Sequence, residues 1–170
     1  PVIYEKCESE TELLLKFLNH WGSAIHSPDV ITGWNTRFFD MPYLINRTGK
    51  LLGPDVAKRY SPWGLINPRT IKQMGRELQS YEITGISQLD YLELFKKFGY
   101  SYGAQESYKL DHIAHTVLGE RKLSYDEFTG LHTLYKHDFQ KFIDYNIKDV
   151  ELVDRLEDKM GLITLALTMA

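Results

Sequence analysis

The chain has 170 residues, of which 43% are hydrophobic and 25% charged, and its formal net charge is -3 at pH 7. This length allows one domain with a substantial hydrophobic core and is too short for two domains of ordinary size. The charge provides no overall basic field of the kind that indicates nucleic acid, although an enzyme that holds metal ions through carboxylates needs no such field. The one cysteine, Cys7, excludes an internal disulfide framework and a cysteine-based zinc site.

The sequence shows no secretory signal pattern at its start. Its longest apolar stretch, residues 162–169, is far shorter than the roughly 20 residues that cross a bilayer. We therefore expect a cytoplasmic, intracellular protein that is not secreted and does not contact a membrane. The chain begins without methionine and ends inside an apolar helical pattern, which indicates a piece of a longer protein.

Strands and helices are both predicted in the first part of the chain. Residues 2–4 have the composition of a short strand, and Ser9 with Glu12 forms a capping-box pattern that begins an amphipathic helix. Residues 29–34 are typical of a buried strand, and a helix is predicted to begin near Met41. Strands mixed with helices favour an α/β fold over a helical bundle.

A β-hairpin insertion is predicted at about residues 66–85, with its turn near Gly75 and a return strand that continues through Ile86. This stretch is the most basic part of the chain. Its basic residues are Arg69, Lys72 and Arg76.

The second part of the chain is predicted to be mainly helical. The spacing of Leu89, Leu92, Phe95 and Phe98 indicates one helix, and a further helix is stopped by Gly119. A long helix is then predicted from about Leu134 to Met160 or beyond.

Two acidic motifs carry the chemistry. Residues 35–40, Asn-Thr-Arg-Phe-Phe-Asp, follow the predicted strand, and residues 145–149, Tyr-Asn-Ile-Lys-Asp, lie inside the long helix. Tyr145 and Asp149 are four apart, so they share one helix face. A carboxylate at a strand end, together with a carboxylate and a phenol on a helix, suits divalent metal binding and phosphodiester hydrolysis.

Each of these residues also has a plainer structural interpretation. Asp40 could cap a helix, Asp149 could lie on a solvated helix face, and Tyr145 could be a half-buried aromatic residue. His112 and His115 are three apart on a helix and could ligate a metal, but no third ligand is evident.

Taken together, the motifs resemble a known family. Residues 29–47, DVITGWNTRFFDMPYLINR, resemble the second exonuclease motif of family B DNA polymerases, and residues 142–153, FIDYNIKDVELV, resemble the third. Residues 86–91, 107–111 and 122–125 match the same family in the same order. The resemblance is to the branch of T-even-like tailed phages.

The resemblance implies a fold and an activity. The fold is an α/β, ribonuclease-H-like exonuclease fold, with residues 1–170 forming one domain that covers most of a 3′–5′ exonuclease domain. The activity is the removal of mispaired 3′ nucleotides with two metal ions, Mg²⁺ or Mn²⁺, in a DNA-directed DNA polymerase inside the host cell of a phage.

The resemblance also implies roles for individual residues. Asp40 and Asp149 would hold metal ions, Tyr145 would orient the attacking water, and Lys122 would balance charge at the site. The basic hairpin would help to move the primer end between sites. The residues expected to contact DNA are Asn35, Phe38, Phe39, Arg69, Lys72 and Arg76.

One family feature is absent from the sequence. The first exonuclease motif, an Asp-x-Glu on the first strand, does not occur before Asn35. By the resemblance, the first two strands and two of the four expected metal carboxylates are missing, so the fold is incomplete at the N-terminus. We therefore expect weak metal binding and little or no exonuclease activity from this chain alone.

The missing strands also bear on partners. The expected partners are a single-stranded 3′ end, primer–template DNA, and the missing polymerase and N-terminal segments. The bare edge of the strand at residues 29–34 could also form a homodimer. Three alternatives stay open: a non-catalytic DNA-binding or assembly module, one half of a split polymerase, and another ribonuclease-H-like nuclease with a rearranged site.

Overall fold

The computed structural model of the chain describes residues 4–73, 75–122 and 130–169. It divides into two compact units, Pro1–Asp90 and Tyr91–Ala170, which we describe separately. The presence of both helices and small sheets confirms a mixed α/β fold, whereas one domain over the whole chain stays a prediction. Over the described ranges, no helix has both the length and the apolar character that a membrane span requires.

The first unit contains both sheets. Its helices are α1 (Glu10–Trp21), α2 (Asp40–Leu52) and α3 (Pro54–Ala57), followed by a 3₁₀ turn at Lys58–Tyr60. Its strands are β1 (Val30–Gly33), β2 (Ile66–Gln73), β3 (Arg76–Ile83) and β4 (Ser87–Asp90).

The pairing of the strands determines which loops come together. β1 and β4 run parallel, with Val30 opposite Ser87 and Gly33 opposite Asp90. The carboxyl ends of these two strands therefore meet at one edge of the sheet, where the loop that leads into α2 begins. β2 and β3 form a separate antiparallel hairpin, in which Ile66 lies opposite Ile83.

The core of the first unit joins α1, α2 and the base of the hairpin. Its buried residues are Leu18, Met41, Ile45, Ala57, Tyr60, Ile83 and Ile86. Inside it, Thr48 Oγ1 and Tyr60 Oη lie 3.1 Å apart and satisfy each other, and Trp21 Nε1 donates to the carbonyl of Tyr60. The first of these bonds joins α2, the helix that begins at Asp40, to the 3₁₀ turn, and the second joins that turn to α1.

The second unit is helical in its described residues. Its helices are α4 (Tyr91–Phe98), α5 (Leu110–Leu118), α6 (Leu131–His137), α7 (Phe139–Met160) and α8 (Leu162–Met169), with a 3₁₀ turn at Tyr100–Tyr102. The long helix α7 packs against α5 and α6, and α4 packs against α8. Fully buried leucines on α7, Leu152 and Leu156, form part of this packing and orient the helix.

The predicted start of α1 is confirmed in one half of its capping box. Ser9 Oγ accepts the N–H of Glu12 at 3.1 Å. The Glu12 carboxylate accepts the N–H of Glu8 at 2.9 Å, one residue before the position that the pattern predicts.

One predicted helix start was wrong, and one predicted strand lies mostly outside the described residues. Leu89 lies in β4 and not in a helix, because the turn at Gly85, with φ of 92°, ends the hairpin and lets a new four-residue strand begin. Leu89 precedes Leu92 by three residues, which agrees with helical spacing by chance, because the helix α4 begins only at Tyr91. Of the short strand predicted at residues 2–4, only Tyr4 lies within the described residues, and it is not in a strand.

The predicted long helix is divided in two at Asp138. Asp138 has φ of -140° and ψ of 81°, outside the helical region, and its Oδ1 accepts the N–H of Lys141 at 3.0 Å. It is therefore the N-cap of α7, a role that the continuous apolar pattern concealed.

We predict that Asp138→Ala lowers the free energy of unfolding by about 1 kcal/mol, because the first turn of α7 loses its side-chain cap. Asp154→Ala, at an exposed position in the middle of the same helix, is the matched control and should change stability by less than about 0.5 kcal/mol. Urea unfolding followed by circular dichroism measures both. Equal losses in the two variants would contradict the capping role.

Candidate functional site

Asp40 is the first residue of α2, and Phe39 occupies the position that precedes the helix. Phe39 has no side-chain group that can cap, so the interpretation of Asp40 as an N-cap is not supported. The Asp40 side chain is thus left available at the edge of the sheet where β1 and β4 end.

The surroundings of Asp40 disfavour its charged form. Loss of hydration from nearby protein atoms raises the pKa of the Asp40 carboxyl, its own backbone N–H lowers it, and the negative charge of Asp90 raises it again. The net pKa is above the ordinary value for aspartate. A carboxylate held in this way gains from any cation that binds beside it.

The loop between β1 and α2 is held by Asp90. Asp90 Oδ1 accepts the N–H of Asn35 at 3.2 Å, and Oδ2 accepts the N–H of Arg37 at 2.9 Å. In the sequence, Asp90 belongs to the segment at residues 86–91 that matches the family, and no pattern there indicates a role for it. The signal that could have identified it is an aspartate at the end of a parallel strand, but β4 itself was not predicted.

The aromatic residues of this loop differ in exposure. The guanidinium carbon of Arg37 lies 5.5 Å from the centroid of the Phe38 ring, a cation–π arrangement that half-buries Phe38. Phe39 is 67% exposed, so its ring is available for stacking. Of the two phenylalanines predicted to contact DNA, Phe39 is the more accessible.

The positive charge of the hairpin is smaller than its three basic residues alone indicate. Arg69 Nε lies 2.8 Å from Glu82 Oε2, and Lys72 Nζ lies 3.5 Å from Glu77 Oε1. Arg76 is exposed near the turn. Because two of the three basic side chains face carboxylates of the neighbouring strand, much of the positive field is compensated locally.

A cleft of about 580 Å³ lies at the base of the hairpin. Arg37 and Arg69 both line it, together with Glu82 and Gln88. The Nε of Arg37 also donates to Ser80 Oγ at 3.4 Å, which holds this arginine against β3. The cleft therefore brings a predicted DNA-contacting residue, Arg69, together with an arginine that the sequence analysis did not select.

Three of the predicted site residues come together in the second unit. Lys122 Nζ lies 2.7 Å from Asp149 Oδ2 and 3.4 Å from Tyr145 Oη. The same ammonium lies 5.3 Å from the centroid of the Tyr145 ring. Asp149 and Tyr145 share one face of α7, as their spacing predicts, and both meet Lys122 there.

The electrostatics of this group favour an ionised lysine. Partial burial alone would lower the pKa of Lys122, but the hydrogen bond and charge of Asp149, with a smaller effect of Tyr145, raise it above the ordinary lysine value. Asp149 Oδ1 is buried and has no hydrogen-bond partner within the described part of the chain. An orphaned carboxylate oxygen is costly unless something binds it, and a hard cation is the natural ligand.

Lys122 is itself anchored by charged neighbours that the sequence analysis missed. Its backbone N–H donates to Asp111 Oδ1 at 2.8 Å. Two residues earlier, Glu120 Oε2 accepts from Lys148 Nζ at 3.1 Å and from Arg155. These bonds tie the segment after α5 to α7. The rest of the matching segment, residues 123–125, lies outside the described residues.

The four candidate catalytic residues are divided between the units: Asp40 is in the first, and Tyr145, Asp149 and Lys122 are in the second. Within the ranges that the structure describes, no group of three or more His, Cys, Asp or Glu side chains is placed to hold a metal ion, His112 and His115 included.

We predict that Asp40→Asn raises the free energy of unfolding at pH 7 in metal-free buffer. A raised pKa means that the folded chain holds the Asp40 proton more tightly than the unfolded chain, so ionised Asp40 costs stability above its titration range. The gain should fade as pH falls towards the ordinary value of 3.8 and be absent below it.

The control for this prediction is Asp55→Asn, whose effect should have the opposite sign. Lys58 lowers the pKa of the exposed Asp55 carboxyl, so its removal should be neutral or slightly destabilising at pH 7. Urea titrations between pH 4 and pH 7.5 measure both variants. A loss of stability in Asp40→Asn at pH 7 would contradict the proposed electrostatic strain.

Comparison with known proteins confirms the resemblance. The family model described as DNA polymerase family B, exonuclease domain, matches residues 1–113. The chain is 36% identical over 169 residues to the DNA-directed DNA polymerase of Enterobacteria phage T4, and 38% identical over 168 residues to that of Escherichia phage RB69. Each alignment covers 99% of this chain and 18% of the phage protein.

A more distant relative is the DNA polymerase delta catalytic subunit of Schizosaccharomyces pombe, 27% identical over 155 residues, which are 85% of this chain and 14% of that subunit. The chain thus spans about a fifth of the length of the phage relatives. The family model includes the motif that ends at Asp40, and the phage alignments extend over almost all of the chain, the region of Asp149 included. The chain therefore belongs to the family B DNA polymerases and corresponds to their exonuclease domain.

Proposed function

We propose that the chain is the 3′–5′ proofreading exonuclease domain of a phage-type DNA-directed DNA polymerase, with a ribonuclease-H-like fold. The observation that carries the proposal is the group formed by Lys122, Tyr145 and Asp149, in which one buried oxygen of Asp149 has no hydrogen-bond partner among the described residues. The matching family model, which is described as an exonuclease domain, supports the same activity, and the names of the phage relatives support a DNA-directed DNA polymerase as the whole protein.

In this proposal Asp40 and Asp149 hold Mg²⁺ or Mn²⁺, since both ions prefer hard carboxylate oxygens. Exonuclease domains of this family generally use divalent metals. When bound, such ions activate water and stabilise the departing 3′ oxygen.

The other residues of the group prepare the site for that chemistry. The Tyr145 hydroxyl orients the attacking water by hydrogen bonding. Lys122 stays protonated and offsets the negative charge of Asp149 and of the substrate phosphate. Its bond to Asp149 Oδ2 leaves Oδ1 as the oxygen that faces a cation.

The substrate in this proposal is a single-stranded 3′ end delivered from primer–template DNA. Phe39 and Phe38 contact the terminal base, because aromatic stacking accepts any base. Asn35 and the basic residues Arg69, Lys72 and Arg76 contact the DNA backbone, and the cleft that Arg69 shares with Arg37 is where we place a phosphate.

The ligand set limits what this chain does alone. The 170 residues contain no Asp-x-Glu before Asn35, so we propose that two metal ligands and two strands come from outside them. Half of a split polymerase, completed by a partner polypeptide, or a non-catalytic DNA-binding module is the second candidate. A homodimer through the edge of β1 stays a prediction that light scattering tests.

We predict that the chain alone shortens a 5′-labelled single-stranded oligonucleotide only slowly in Mn²⁺. A peptide that carries an Asp-x-Glu strand should increase the rate. Asp149→Asn and Asp40→Asn should each lower the assisted rate about 100-fold, since each removes a charged metal ligand. Denaturing gel electrophoresis measures the products.

The control is Asp154→Asn, which removes an exposed acid five residues beyond Asp149 and should leave the rate unchanged. Brisk degradation that survives the combined loss of Asp40 and Asp149 would contradict the assignment of the site. An assisted rate of zero in every variant would favour the non-catalytic module.

We predict that Phe39→Ala weakens binding of a single-stranded oligonucleotide about tenfold, because a stacked base is worth about 1–3 kcal/mol. Fluorescence anisotropy in calcium buffer, which avoids cleavage, measures the affinity. Tyr100→Ala removes another highly exposed aromatic ring outside the site and should have no effect. Equal losses in both variants would indicate non-specific stacking.

A further inference from the structure

Asp90 is as buried as a core residue, and its carboxylate accepts the backbone N–H groups of Asn35 and Arg37. We call this pair of hydrogen bonds the clamp. Asp90 ends β4 opposite Gly33, and it is 2% exposed. A carboxylate so far from water is very unfavourable unless strong donors surround it. The amides of Asn35 and Arg37 supply donors, one to each oxygen, and bonds of this charge-assisted kind are among the strongest that a backbone N–H makes.

The loop that Asp90 holds has an unfavourable backbone. Asn35 has φ of 67°, a left-handed conformation that residues other than glycine rarely adopt. The loop also folds tightly over the end of β1, since a Cβ at Gly33 would lie 2.3 Å from Thr36 Cγ2. Such a turn persists only where its surroundings over-determine it.

The same loop carries the start of α2. The N–H of Phe39 donates to the carbonyl of Asn35 at 3.0 Å, and the N–H of Met41 donates to the carbonyl of Thr36 at 2.9 Å. Asp40 lies between these two bonded residues. Hydrogen bonds therefore connect the Asp90 carboxylate through the loop to Phe39 and Met41, the two residues on either side of Asp40.

We propose that Asp90 is a positioning residue for the exonuclease site: its buried carboxylate fixes the loop of residues 35–39 and thereby places the Asp40 side chain for metal binding. This inference rests on the proposed function in its last step, the metal role of Asp40. The clamp itself is independent of that role.

The negative charge of Asp90 favours a role in cation binding in addition to its role in holding the loop. A neutral acceptor could satisfy one of the two amides without placing a second negative charge near Asp40. Two acids held close together, one buried and one available, increase the attraction of the site for a cation.

The test of the clamp uses Asp90→Asn in the 170-residue chain. Asparagine has the same shape but only one accepting oxygen, so one of the two amides loses its partner. Amide hydrogen exchange by NMR should accelerate about tenfold or more at Arg37, Phe39 and Met41. The amide of Ile45, further along α2, should be unchanged.

Unchanged exchange at these three positions would overturn the proposal. So would a uniform acceleration that includes Ile45, because it would show a general loss of stability. Asp55→Asn, which removes an exposed acid from the same unit, is the matched control and should leave all four amides unchanged.

The link to function is tested with Mn²⁺ alone, whose free concentration is measured by electron paramagnetic resonance. Asp90→Asn should weaken Mn²⁺ binding about tenfold. Ile45→Val, which truncates the core side of α2, should keep the wild-type affinity despite its lower stability. Wild-type affinity in Asp90→Asn would overturn the positioning role. If Asp40→Asn binds Mn²⁺ as tightly as the wild type, the metal role of Asp40 fails, and the exchange experiment still decides whether the clamp exists.

Discussion

A carboxylate that leaves water must find donors or a cation, and the candidate site follows from how Asp90 and Asp149 meet this demand and how Asp40 lies near Asp90. Asp90 is buried and takes two backbone amides. Asp149 is half-buried and takes Lys122 on one oxygen, which leaves the other unpartnered among the described residues. Asp40 lies beside the charge of Asp90 with a raised pKa. One acid is thus structural, and two have capacity left for a ligand.

This division of labour connects the fold with the chemistry that we propose. The parallel pairing of β1 with β4 brings Asp90 to the loop that leads into α2. The edge of the sheet therefore determines where α2 begins, and Asp40 is the first residue of that helix. In the second unit, α7 presents Tyr145 and Asp149 on one face because they are one turn apart.

The sequence was most informative where chemistry depends on local spacing. The relation of Tyr145 to Asp149 and the hairpin around Gly75 both follow from periodicity or turn composition. Asp90 could not be predicted, because its role depends on a four-residue strand and on a partner more than fifty residues away. Asp138 was concealed for a different reason: apolar residues continue on both sides of it, and only the backbone dihedrals reveal the cap.

The central proposal is that Asp149 binds a divalent cation through Oδ1, the oxygen that has no hydrogen-bond partner among the described residues. The Mn²⁺ affinity of Asp149→Asn tests it most directly, measured beside the wild type and beside Asp154→Asn, which removes an exposed acid from the same helix. We predict that Asp149→Asn loses most of the affinity and that Asp154→Asn keeps it. Wild-type affinity in Asp149→Asn, or equal losses in the two variants, would contradict the proposal.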